Sequence, residues 1–232
     1  MESQSRFWDF LYNLTDWVMR LAVPNMYCFL FNIPFLFVLT LFFWIGLDIG
    51  LLYYLLAVFV TFPFLAFPAI VALFATTRDW VLKREQPSLT KAYFQHWKAN
   101  YKQSTRAGFI FALLWIIWVG DVYYFQSLNN MMFLVIILVF GAILFVFTMN
   151  YFSLQAHYHE RVKTLLQYSF FYTVGRPLAT FLIMIIGLSI VYVSFFKLIF
   201  LIPFFTFSLL AFLSFEIFYW DQRKIRDQER TK

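Results

Sequence analysis

Charged residues are scarce in this sequence. Asp, Glu, Lys and Arg make up 13% of its 232 residues, whereas the hydrophobic types make up 62% and the aromatic types alone 24%. A soluble domain carries roughly 25% charged residues. Because a chain of this size has too little interior to bury so much apolar surface in water, the composition predicts a protein that a lipid bilayer solvates.

Cysteine and the common signatures of catalysis are also missing. Cys28 is the only cysteine, so no disulfide can form within the chain. The sequence contains no H-E-x-x-H, no G-x-S-x-G and no phosphate-binding loop. His157 and His159 form an H-x-H pair, but residues two apart on a helix point in nearly opposite directions and do not chelate one metal. We therefore expect a protein that is not an enzyme and that holds no metal or cofactor.

The few charges divide the chain into three long apolar blocks, at residues 26–75, 107–156 and 178–220. A helix as long as one block would extend roughly 65–75 Å, whereas the hydrocarbon core of a bilayer is about 30 Å thick. Each block is therefore expected to fold back once as a helical hairpin. The expected turns are residues 46–50, 126–130 and 194–197.

The blocks predict an all-α fold, a polytopic helical membrane protein with six transmembrane helices arranged as three hairpins in a single membrane domain. Amphipathic interfacial helices are expected beside the hairpins. The flanking segments are an N-terminal amphipathic helix (1–25), a cytoplasmic helical arm (76–106), a cytoplasmic linker (157–177) and a basic C-terminal tail (221–232). Of the 18 Lys and Arg residues, only Lys197 lies at a hairpin turn. The positive-inside rule then places both termini and both linkers in the cytoplasm, with the protein in the cell membrane.

The most informative stretch is KAYFQHWKANYKQSTR, residues 91–106, which is both basic and aromatic. On a helix its cations share one arc and its aromatic residues another, and Ser88 is the predicted N-cap. Such a helix lies on a membrane, with its aromatic residues toward the acyl chains and its lysines toward anionic headgroups, or it docks a partner protein. Both alternatives stay open. Its residue types also suit nucleic acid, but the tether to membrane spans argues against that partner. The predicted docking residues are Arg78, Phe94, Trp97, Lys98, Asn100, Lys102 and Arg106.

Two prolines in the first block suggest a small pocket. Pro34 and Pro68 lack a backbone N–H, and each leaves a carbonyl four residues earlier without its helical partner. Irregular backbone in a membrane is tolerated where it is buried or lines a cavity. Asn25 and Asn32 stand near the same level, so the alternatives are a cytoplasm-facing pocket for a small solute and a pair of packed kinks without a ligand.

Several motifs resemble those of the YesL-like family of bacterial integral membrane proteins, a family of unknown function. Asn25 stands nine residues before Pro34, and members of that family also carry an Asn nine residues before a Pro in the first span. Two further runs, residues 67–104 and residues 150–180, are similar to those of family members. The matching positions in the first run are Pro68, Ala69, Ala72, Leu73, Arg78, Phe94, Lys98 and Asn100.

The resemblance implies a function that the residues alone do not. Members of the family tend to be associated with carbohydrate uptake and degradation systems, so the implied role is that of a non-enzymatic accessory or interaction component beside sugar-importer subunits. The alternative is a component that binds or translocates a small, sugar-like solute through the pocket near Pro34 and Pro68. Six spans are few for a solitary carrier, so a homo-oligomer is also expected.

Overall fold

The computed structural model describes the backbone of residues 2–45, 51–84, 88–128 and 130–230, and the side chains of residues 8–40, 55–84, 88–128 and 130–229. Within these residues the regular structure is helical throughout, and six helices are long and apolar enough to cross a bilayer. They are Trp8–Thr40, Leu55–Val81, Leu89–Ser127, Met131–His157, Pro177–Phe196 and Ile202–Glu229. The predicted class, a helical membrane protein with six candidate spans, is confirmed.

The described residues form eight α-helices. They are α1 (Glu2–Ile45), α2 (Leu51–Thr61), α3 (Phe67–Val81), α4 (Leu89–Ser127), α5 (Met131–His157), α6 (Val162–Gly175), α7 (Pro177–Phe196) and α8 (Phe207–Arg230). One turn of π-helix precedes α3 and another precedes α8, at Phe62–Ala66 and Ile202–Thr206. Each π-turn contains a proline, Pro63 and Pro203 respectively, so each interruption falls where the backbone lacks a hydrogen-bond donor.

The turns of the hairpins can be compared with their predicted positions. In the second hairpin α4 ends at Ser127 and α5 begins at Met131, as the stretch 126–130 predicts. In the third, the helix breaks at residues 197–200, just beyond the predicted turn at 194–197. The predicted turn of the first hairpin, residues 46–50, lies outside the described residues.

Two helices are longer than the sequence suggests. The sequence separates an N-terminal helix and a basic arm from the spans that follow them, but α1 and α4 continue through both boundaries. The change from polar to apolar side chains does not interrupt backbone hydrogen bonding, and α4 contains no proline. Residues 76–81 of the predicted arm belong to α3, and the predicted C-terminal tail continues α8 as far as Arg230.

The centre of the molecule is α3, which packs against α1, α4, α5 and α8. Nearly every residue from Phe67 to Asp79 is buried. Aromatic rings dominate this core, and the ring of Phe67 lies 4.7 Å from that of Phe152 and 5.3 Å from that of Phe111. Because α3 is covered on all sides, its polar residues must find partners inside the protein.

The segment predicted as a cytoplasmic linker contains a further amphipathic helix, α6. One face of α6 is buried against the protein, through Leu165, Ser169, Tyr172 and Thr173. The opposite face exposes Phe170, Phe171 and Val174, with 57–68% of each residue accessible. An exposed apolar face on a short helix is typical of a segment that lies at a membrane surface, so the interfacial helix that the sequence assigns to residues 91–106 has a better candidate in α6.

Candidate functional site

The N-terminal half of α4 carries most of the residues that the sequence singles out. It begins as predicted, because the Ser88 hydroxyl accepts a hydrogen bond from the backbone N–H of Lys91 at 3.4 Å. An oxygen at this position satisfies one of the four N–H groups that the first turn of a helix leaves without a partner. The start of α4 is therefore set locally by its N-cap.

One side of this half of α4 is a row of exposed cations, which we call the basic face. It consists of Lys91, Lys98, Lys102 and Arg106, with Phe94 at its edge. The spacing of seven, four and four residues keeps the four cations on one side of the helix. Within the described part of the chain none of them forms an ion pair. Their charges are thus available to an external partner.

The aromatic residues of the same half face the protein rather than lipid. Tyr93 is fully buried, and its hydroxyl donates to the carbonyl of Ala69 at 3.1 Å. The ring of Trp97 stacks on Phe31 of α1, with 5.3 Å between the centroids. The expectation that these aromatics point toward the acyl chains is wrong, because α1 occupies that side of α4. Of the predicted docking aromatics, only Phe94 is substantially exposed, at 39%.

Arg78, predicted as a docking residue, lies in the interior. Its guanidinium donates from Nε to the Asp79 carboxylate at 2.9 Å and from a terminal nitrogen to the Ala156 carbonyl of α5. The other oxygen of Asp79 lies 2.7 Å from Nε2 of His96 on α4. This cluster ties α3, α4 and α5 together. Arg78 is therefore a structural residue and contributes nothing to an exposed face.

Asn100 also differs from its predicted role. Its side-chain amide donates to the carbonyl of His96 in the preceding turn of the same helix at 3.0 Å, and the residue is half-buried. Asp79 and His96 were missed by sequence reasoning, although an Arg-Asp pair at the end of an otherwise apolar helix was a usable signal. A buried ion pair needs further hydrogen-bond partners, and here they come from other helices, the Ala156 carbonyl of α5 and His96 of α4.

Three of the four residues of the predicted pocket are buried, and the fourth, Pro34, is exposed. Asn25 is fully buried and bridges α1 to the π-turn before α8, because its Nδ2 donates to the Ile202 carbonyl and its Oδ1 accepts from the Ser208 N–H, both at 2.9 Å. Asn32 donates to the carbonyl of Cys28 in its own helix at 2.7 Å. Pro34 lies within α1 and Pro68 near the start of α3.

The structure does contain a cavity near the first hairpin, but its chemistry is apolar. It has a volume of about 210 Å³ and lies between α1, α2 and α4. Its walls come from Phe35, Leu39, Leu55, Val58, Phe62, Ala112, Trp115, Ile116 and Val119. None of the four predicted pocket residues lines it. A sugar-like solute needs convergent polar groups, and these walls offer only the indole N–H of Trp115.

A more polar cleft of about 510 Å³ opens where α1, α3, α8 and the start of α4 meet. Its walls combine aromatic rings with charged groups of both signs. The rings are those of Trp17, Trp80 and Phe212, and the charged groups include Lys83, Arg84 and Glu216. A volume of this size is in the range of about 300–1,000 Å³ that small-molecule sites occupy.

The described residues provide no metal site. No group of three His, Cys, Asp or Glu side chains within them is placed to hold a metal ion. His157 is the last residue of α5, and its ring packs against Tyr158, Phe215 and Phe218. The neighbouring Tyr172 on α6 is also buried, which raises the pKa of its phenol, and the Asp221 carboxylate raises it further. Tyr172 contacts α8 through the ring of Phe218, with 5.3 Å between the centroids.

Fold and site together define a multi-pass helical membrane protein whose charged and polar groups gather at one end of the bundle. Residues 21–122 match the family described as "Protein of unknown function, DUF624". The chain is also 25% identical over 224 residues to "Uncharacterized protein YesL" of Bacillus subtilis (strain 168), covering 94% of each chain. No solved structure matches. The two matches confirm the resemblance to the YesL-like family that the sequence indicates.

Proposed function

We propose that the protein is a non-enzymatic membrane component that docks a partner through the basic face of α4. The observation that carries this proposal is the row of four exposed cations, none of which has an acidic partner within the described residues. Interfaces pair positive patches with negative ones. The partner therefore presents an acidic surface.

The continuity of α4 favours a protein partner over a flat lipid anchor. Residues 107–127 extend about 31 Å as a helix, which is enough to cross a hydrocarbon core of about 30 Å. Residues 89–106 then extend about 27 Å further along the same helix. A segment continuous with a span leaves the bilayer rather than lying along it. Anionic headgroups remain within reach of Lys102 and Arg106, which are closest to the boundary.

The identity of the partner rests on the resemblance to the family. Its link to carbohydrate uptake and degradation systems supports sugar-importer subunits as the partner, in the membrane of a bacterial cell. The distribution of Lys and Arg supports cytoplasmic termini and linkers. Self-association is a second arrangement that would also cover exposed surface.

The small-solute alternative has less support from the geometry. Asn25 and Asn32 use their amides for contacts between and within helices, and Pro34 and Pro68 line neither of the two cavities described above. A rise in melting temperature with any of a panel of sugars and oligosaccharides would revive this alternative. We expect no such shift.

The docking proposal is tested by charge reversal on the basic face. Tagged wild-type protein and the double variant Lys98→Glu, Lys102→Glu are purified from native membranes in mild detergent, and the co-purifying proteins are quantified. The matched control is Arg161→Glu, Lys163→Glu, which reverses two exposed cations at the start of α6. Acidic residues are favourable near a helix N-terminus, so this control should fold normally.

We expect a partner in near-stoichiometric yield with the wild type and with the control, and at least tenfold less with the variant of the basic face. Raising the salt concentration should weaken recovery of the wild-type complex, because exposed charges are screened. Equal recovery with all three proteins, or recovery of the protein alone, would contradict the proposal.

A further inference from the structure

The polar cleft is separate from the basic face and has features of a ligand site. It lies between α1, the end of α3, the start of α4 and α8, whereas the basic face is on the exposed side of α4. Three aromatic rings from three helices form one wall. The centroids of Trp17 and Trp80 are 4.7 Å apart, and Phe212 lies 5.6 Å and 5.1 Å from them. Aromatic surfaces of this kind attract cations.

Lys83 places a positive charge in the wall of the cleft, although its own backbone adopts a conformation that is unfavourable for a residue with a Cβ. It is the only described non-glycine residue with a positive φ, at 53°. The N–H of Arg84 bonds to the carbonyl of Asp79 at 2.8 Å, which closes the turn that ends α3. Glycine usually occupies this left-handed position because it carries no Cβ. Lysine adds a cationic side chain, and that side chain lines the cleft.

The negative side of the cleft is Glu216 on α8. Its side chain is exposed and forms no ion pair with any described residue. The other carboxylate in the walls, Asp16, is already paired with Arg20 at 2.7 Å. Glu216 is thus the acid available to a ligand, and Lys83 is a base without an ion pair among the described residues. The guanidinium of Arg84 is exposed but lies 3.5 Å from the Asp79 carboxylate, so it is a second base that is partly engaged. Charges of opposite sign and aromatic rings that line one cleft complement a ligand that carries both charges.

We propose that this cleft binds a small zwitterion that carries a phosphate and an amine, as phosphocholine and phosphoethanolamine do. The phosphate lies against Lys83 and Arg84, and the ammonium lies between the aromatic wall and the Glu216 carboxylate. Aromatic rings beside a carboxylate bind quaternary and primary ammonium groups. This site goes beyond the docking function and does not depend on it. The same chemistry is found in lipid headgroups and in free phosphocholine and phosphoethanolamine, which we call phosphoamines.

The test is a titration of the detergent-solubilised protein, in a maltoside, with phosphocholine, phosphoethanolamine and inorganic phosphate. The variants are Lys83→Gly and Glu216→Gln, with Lys163→Ala as a matched control that removes an exposed cation outside the cleft and outside the basic face. Lys83→Gly relieves the left-handed backbone, so a loss of binding in this variant does not reflect unfolding. A thermal unfolding curve of each variant checks this directly.

We expect saturable binding of both phosphoamines to the wild type and to Lys163→Ala. Lys83→Gly should bind them at least tenfold more weakly. Glu216→Gln should weaken phosphoamine binding about tenfold and leave the weaker binding of inorganic phosphate unchanged, because its carboxylate contacts only the ammonium. Absence of saturable binding to the wild type, or equal affinities in the two cleft variants and the control, would overturn the proposal.

Lipid analysis of the purified protein separates the two sources of the ligand. If the ligand is a headgroup, lipid with a phosphoamine headgroup co-purifies with the wild type at about one per chain and is depleted in Glu216→Gln. If the ligand is soluble, phosphocholine binds with the same affinity in nanodiscs made of phosphoamine lipids as in nanodiscs of phosphatidylglycerol. Either result supports the site. If no phosphoamine lipid co-purifies and soluble phosphocholine does not bind, the result counts against the site.

Discussion

Replacing Asn25 with leucine should destabilise the protein more than any other single change on α1. The Asn25 amide is hydrogen-bonded to two backbone groups at the π-turn before α8 and the first residues of α8, the carbonyl of Ile202 and the N–H of Ser208. Leucine fills a similar volume but offers no polar atom. Each buried backbone group without a partner costs about 1–3 kcal/mol, so Asn25→Leu should lower the free energy of unfolding by about 2–6 kcal/mol. Domains have total stabilities of roughly 5–15 kcal/mol, so this is a large fraction.

The same helix offers a matched control in Asn32→Leu. Asn32 is also buried, but its amide donates within its own helix, to the carbonyl and Sγ of Cys28. The helix already engages that carbonyl through its own backbone. We expect this variant to lose less than about 1 kcal/mol. The measurement is equilibrium unfolding in a maltoside detergent, with tryptophan fluorescence as the readout. Equal stabilities of the two variants would refute the account of Asn25 as the link between α1 and the π-turn.

Two further substitutions test the packing of α3 and α4. A Cβ on Gly108 would lie 2.8 Å from the backbone Cα of Pro63, whereas a Cβ on Gly120 meets nothing within 4 Å. We therefore expect Gly108→Ala to destabilise the protein by about 1–3 kcal/mol and Gly120→Ala to stabilise it by up to about 1 kcal/mol. Thermal unfolding measures both changes, and shifts of the same sign in the two variants would contradict this expectation. Asp79→Ala removes the carboxylate beside the buried Arg78 guanidinium, so it should lower the free energy of unfolding by about 3–5 kcal/mol in equilibrium unfolding. A loss below about 1 kcal/mol would contradict this and show that water already screens the pair.

Local chemistry explains what the sequence predicts well. Long apolar blocks predict the spans because a bilayer leaves few alternatives to a helix. The Ser88 cap and the turn after Ser127 depend on residues within a few positions of each other, and both occur where the sequence places them. Features that depend on neighbouring residues can therefore be predicted from the sequence.

The contacts that decide the role of each site residue are not local. The partners of Asn25 stand 177 and 183 residues away in the chain. The composition of residues 91–106 is the same whether its aromatics meet lipid or protein, and only the position of α1 shows that Tyr93 and Trp97 pack inside. Arg78 illustrates the same limit, because an arginine at a helix end anchors at headgroups unless another helix covers it and offers a carbonyl, as α5 does with Ala156.

The central claim, that the basic face docks an acidic partner, is tested most directly by site-specific photocrosslinking in intact cells. A photoreactive residue is placed at Gln95, which is exposed beside the basic face, and in a separate variant at Tyr123, which is exposed on the apolar half of the same helix. The account predicts one protein crosslinked from position 95, lost when Lys98 and Lys102 are changed to Glu, and absent from position 123. Crosslinks from position 95 to lipid alone, or to the same proteins from both positions, would contradict it.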